Sequence, residues 1–181
     1  MVYIDHNAKN YADALFMLSE ELGETETLKL DFLTVCDSID QSPEFLKLLD
    51  TPSIPREDRI DLVEKAFGTL NRNLVNLIKI LCERRLTYLI HKIKDAYMVS
   101  YDISRNIERV EAITFVPLNE NQIVKLQRKL ENLTGKQIIV KNTIDPSILG
   151  GMKLRYMGVQ IDGSIQTKLD SFEKSLKDLV I

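Results

Sequence analysis

The residues able to do chemistry are few, and their spacing does not bring them together. Cys36 and Cys82 are the only cysteines and His6 and His91 the only histidines, with no CxxC or metal-ligand spacing among them. A zinc site and a disulfide framework are excluded. Both cysteines stand among apolar neighbours at helical positions, where a thiol packs as a small hydrophobe. His91 sits between Lys92, Lys94 and their neighbours on a helix and reads as a solvated face. Gly150-Gly151 is the one glycine doublet, but it leads into an alternating strand pattern without the GK[ST] of a phosphate-binding loop. The pair reads as backbone-shape residues. In Asp162-Gly163-Ser164 the first two residues suit a turn and the serine caps the helix expected next. No catalytic residue, metal or cofactor is expected.

Charge narrows the partners. Lys plus Arg is 24 against 27 for Asp plus Glu, a net charge of −3, so a broad phosphate-binding footprint is not expected. One local basic cluster, Arg84, Arg85, His91, Lys92 and Lys94, suits a solvated face or an acidic protein partner. At 44% hydrophobic and 28% charged, the composition is that of a folded domain. No run approaches the roughly 18 apolar residues of a membrane span. The first ten residues lack a basic region followed by an apolar one, so a cytosolic or peripheral, unprocessed chain is expected.

Apolar spacing then lays out the elements. Tyr11, Ala14, Leu15, Leu18 and Leu22 mark a first helix closed by Gly23, and Leu28, Phe32, Val35 and Ile39 a second. Ser42-Pro43 opens a short third helix, Pro55 a fourth, Asn71 a fifth reaching about Arg84, and Thr87 a sixth continuing through Ile107. Val110 to Val116 is a strand, and Asn119 with Gln122 forms a capping box for another helix. Strands follow at Gln137 to Lys141, Met152 to Tyr156 and Val159 to Ile161, and a final helix starts near Ser164. The expected fold is mainly α with a smaller α/β part. Residues 1–105 form an N-terminal six-helix bundle, and 106–181 a small C-terminal α/β domain.

Two helices carry more apolar surface than one core contact consumes. At about 100° per residue, the first spans roughly 200° from Ala14 to Phe16, and the fifth roughly 220° from Ile80 to Val75. Either both are central and buried on two sides, or they leave an apolar groove for an incoming amphipathic helix.

Five segments carry a family resemblance: Y-A-D-A-L-F at Tyr11 to Phe16, D-T-P-S-I-P-R-E-D-R at Asp50 to Arg59, I-L-C-E-R-R-L at Ile80 to Leu86, D-P-S-I-L-G-G-M-K-L-R at Asp145 to Arg155, and Q-I-D-G-S-I-Q-T-K-L at Gln160 to Leu169. In this order, across nearly the whole chain, they resemble the delta subunits of F-type ATP synthases, whose mitochondrial counterpart is the oligomycin-sensitivity-conferring protein. Where that family often has a small or Asn-like residue, this chain has Arg84, and a frequent proline is Ile90 here.

The resemblance implies a non-catalytic stator part. It would be present in one copy per synthase, at the cytoplasmic face of the bacterial plasma membrane, touching the membrane only through the complex. The helical domain would take the N-terminal helix of an alpha subunit in a groove of Tyr11, Ala14, Leu15, Leu18, Leu77, Ile78 and Leu81. The second domain, shaped by Gly150, Gly151, Asp162, Gly163 and Ser164, would hold the C-terminal ends of the b-subunit stalk. The competing class is a small acidic helical RNA-binding or transcription-regulating protein, recognisable by salt-dependent nucleic-acid affinity.

Overall fold

The computed structural model describes residues 6–148, 150–156 and 159–163. It is mainly helical, with a small four-stranded sheet, and divides between Ser104 and Arg105 into two compact units.

The first unit is built from α1 (His6–Glu21), α2 (Thr25–Gln41), α3 (Pro43–Asp50), α4 (Arg56–Phe67), α5 (Arg72–Arg84) and α6 (Ile90–Ser104). Gly23, at φ 70, ends α1 in the left-handed conformation that glycine adopts most cheaply. Asn71 caps α5 as its type and place predict, its side chain accepting from the Asn73 amide at 2.9 Å. The core is filled by Leu28, Phe32, Val35, Leu49, Val63, Leu74, Leu81, Leu89, Ile90, Ile93 and Tyr97, each fully or almost fully buried. Before α6, Thr87–Leu89 forms a 3₁₀ turn rather than the helix start expected there. Thr87 is buried and donates to Asp50 Oδ2 at 2.7 Å, so its hydroxyl ties the turn to α3 instead of capping α6.

The second unit opens with a reassignment. Ile107 starts β1 (Ile107–Thr114) instead of extending α6, because Asn106 turns the chain at φ 54, a conformation asparagine tolerates. Phe115 and Val116 fall beyond the strand and are exposed. Next come α7 (Glu120–Thr134), β2 (Gln137–Ile144), β3 (Met152–Tyr156) and β4 (Val159–Asp162). The Asn119/Gln122 capping box is present in full, and Gly135 at φ 68 closes α7. The sheet order is β2-β1-β3-β4, with β1 parallel to β2 and antiparallel to β3. The helix α7 is therefore the crossover of a βαβ unit.

Candidate functional site

The groove expected between α1 and α5 is decided by which arc of each helix the core takes. On α1 the core takes Ala8, Ala12, Leu15, Phe16 and Ser19. Phe16 packs edge-on against Tyr97 of α6 with ring centroids 5.6 Å apart. The Ser19 hydroxyl lies 3.0 Å from the Tyr97 hydroxyl, and Ser100 of α6 donates to Asp13 Oδ1 at 3.0 Å. This side of α1 is closed. About half a turn round the helix, at 100° per residue, Tyr11 faces α5, where Arg84 Nη1 donates to its hydroxyl at 3.0 Å. Ala14 and Leu18 lie on the same side as Tyr11 and are exposed, Leu18 at 39%.

On α5 the core takes Leu74, Val75, Leu77, Ile78, Leu81 and Cys82. The seven expected groove residues therefore split. Leu15, Ile78 and Leu81 are core positions, buried by the helices of their own unit, and offer no surface to a partner in the free chain. Leu77 is 7% exposed, Tyr11 is half-buried, and Ala14 and Leu18 are exposed. On α5, Ile80, at 41%, and Arg84 are exposed as well; neither is among the seven expected groove residues. Their signal was angular: both fall on the outer flank of Leu77 at helical spacing.

Arg59, the last residue of the D-T-P-S-I-P-R-E-D-R segment, is buried on α4, and its Nη1 donates to Leu49 O at 3.0 Å and Cys82 O at 3.1 Å. Those carbonyls belong to the last turns of α3 and α5, where helix termini leave acceptors unpaired and attract cations.

The cysteines are inert. Burial pushes the Cys36 thiol up to about 11, and burial likewise raises that of Cys82. A thiol held protonated is a poor nucleophile. His91 has a partner after all, its Nε2 lying 3.4 Å from Asp40 Oδ1. Among the described residues no His, Cys, Asp and Glu cluster could hold a metal, and no helix is long and apolar enough to cross a membrane.

In the second unit the expected shape residues are placed as follows. Gly150 and Gly151 have φ of 155 and 85, values side chains disfavour. Asp162 is not in a turn: it ends β4, paired with Lys153, whose Nζ lies 3.4 Å from Asp162 Oδ2. Pairing with β3 carries on into Gly163, whose amide donates to Met152 O at 3.1 Å, and a Cβ there would sit only 3.2 Å from that oxygen. Ser164 and the terminal helix expected to follow it lie outside the described residues. The D-P-S-I segment has a local reason: Asp145 Oδ1 accepts from the Ser147 amide at 2.9 Å, and Ile148 beyond it is buried.

Residues 8–176 match the family of ATP synthase delta (OSCP) subunits. The ATP synthase subunit delta of Clostridioides difficile (strain 630) is 33% identical over 176 residues, covering 96% of this chain and 97% of the relative. The sodium-ion-specific ATP synthase subunit delta of Propionigenium modestum is 31% identical over 92% of this chain and 96% of its own length. A chain in the cryo-EM structure of the Toxoplasma gondii mitochondrial ATP synthase hexamer shares the fold, with a TM-score of 0.68, 21% identity, and coverage of 95% of this chain and 98% of that one. Nothing in these likenesses supports an RNA-binding or transcription-regulating protein. The chain belongs to the ATP synthase delta (OSCP) subunit family and is a non-catalytic stator component of the peripheral stalk.

Proposed function

We propose that the chain joins the catalytic head to the stalk through one surface on each unit. The first unit acts as a six-helix bundle whose α1/α5 seam receives the N-terminal helix of an alpha subunit. The observation that carries this reading is that Ala14, Leu18 and Ile80 stay exposed on the two helices that the Arg84–Tyr11 hydrogen bond ties together, with Leu77 nearly buried. An amphipathic helix laid along such a seam buries these side chains as anchors.

The second unit holds the C-terminal ends of the b subunits, a reading that rests on the family alone. One copy at the cytoplasmic face of the membrane complex, gripping both, keeps the head from turning with the rotor, so that ion flow drives ATP synthesis. A tie under that load calls for near-nanomolar affinity, about −12 kcal/mol.

The test is calorimetric titration of the full chain with a synthetic peptide of the cognate alpha subunit's N-terminal helix. One-to-one binding, weakened about tenfold or more in L18E without loss of helicity, is expected. No binding by the folded chain overturns the seam reading. For the stalk, a chain ending at Gly163 is expected to lose b-subunit binding and keep the peptide; retained b-subunit binding overturns that placement.

A further inference from the structure

We propose that Arg59 is a positioning residue for head attachment: its buried guanidinium joins the last turns of α3 and α5 and so fixes the wall of the α1/α5 seam. This rests on the seam reading above. Arg59 Nη1 reaches Leu49 O at 3.0 Å and Cys82 O at 3.1 Å, and Cys82 Sγ also reaches Leu49 O at 3.7 Å. Thr87, in the 3₁₀ turn that follows α5, donates to Asp50 Oδ2 at 2.7 Å. Arg59 on α4 thus bonds α3 and α5 directly, and the 3₁₀ turn is tied to the end of α3 beside it. Cys82 O accepts a second bond, from the Arg85 amide at 3.3 Å, and Arg85 is held at φ 56, left-handed without being glycine. Such a conformation persists only where its surroundings hold it. Arg84, immediately before it, is the residue that spans the seam to Tyr11 at 3.0 Å. The chain of dependence runs from Arg59 through Cys82 O to the Arg84-Arg85 turn and on to the seam.

The experiment compares wild type, R59M and R59K as full chains. It reads amide hydrogen exchange at Arg85 and Leu86 together with affinity for the alpha-subunit peptide. In R59M both amides are expected to exchange at least about tenfold faster than the mid-α1 amides change, with a comparable loss of affinity. R59K, which keeps the charge, restores most of both. If R59M does not fold, R59Q, which keeps a donor, is read in the same way. Unchanged exchange at Arg85 and Leu86 in the folded variant overturns the inference. Failure of wild type to bind the peptide would instead sink the seam reading, while the exchange data still decide the role of Arg59.

Discussion

On its α6 side, α1 is sealed by Phe16 edge-on to Tyr97, by Ser19 against the Tyr97 hydroxyl and by Asp13 held from Ser100; on its α5 side, the hydrogen bond from Arg84 to Tyr11 spans a seam whose Ala14, Leu18 and Ile80 stay exposed. A helix needs one apolar stripe to hold its place in a bundle. The α6 side supplies it, with aromatic packing and polar bonds that fix the rotation of α1. The surplus on the other side is the surface proposed above for a partner helix. Exposure alone does not single out the proposed docking surface, because Met17 on α1 and Val99 and Ile103 on α6 are exposed as well. What distinguishes the α5 side is that Leu77 is nearly buried beside the exposed Ile80 of its own helix, and that Arg84 bonds across to Tyr11 of α1.

The largest effect should come from erasing the distinction between core and seam. Leu81 is fully buried, and L81A is expected to cost about 2 to 5 kcal/mol, read by chemical denaturation. Its effect on peptide affinity should follow the folded fraction alone. Next, I80E should weaken peptide binding by about 1.4 kcal/mol or more. It should move unfolding by no more than about 0.5 kcal/mol, since the side chain is already in solvent.

On the closed side, Y97F removes the hydroxyl that meets Ser19 and the Thr25 carbonyl. A loss of about 1 kcal/mol in stability is expected, with peptide affinity unchanged in titration. The smallest effect belongs to the second unit. Hydrogen bonds from the Ser147 hydroxyl, and then from its amide, lower the Asp145 pKa from 3.8. A folded pKa below the unfolded one adds stability that is present above 3.8 and is lost as pH falls through the folded value. D145N should therefore flatten the acid limb of the stability profile slightly and leave peptide binding alone.

Much of the fold was legible because its signals are local. Apolar spacing gave the helices, Asn71 and the Asn119/Gln122 box gave two starts, and the alternation from Met152 to Tyr156 gave a strand. The site was harder, because an apolar arc of roughly 200° does not say which part meets the core. Leu15, Ile78 and Leu81 were assigned to the groove on chemistry they share with Leu18 and Ile80; tertiary packing alone separates them. Arg59 was hidden for the opposite reason. Charged residues are seldom buried, and only the meeting of two helix C-termini, distant in sequence, makes its burial affordable. Ile107 and Asp162 were misread at element boundaries, where the deciding feature, a left-handed Asn106 or a strand partner at Lys153, is not a periodicity.

The most direct measurement is a methyl-labelled NMR titration of the full chain with the alpha-subunit peptide, following Leu18 and Ile80 on α1 and α5, and the exposed Val99 and Ile103 of α6. Shifts at Leu18 and Ile80, with Val99 and Ile103 unmoved, are expected if the α1/α5 seam is the docking site. Shifts confined to Val99 and Ile103 would place the partner on α6 and contradict it.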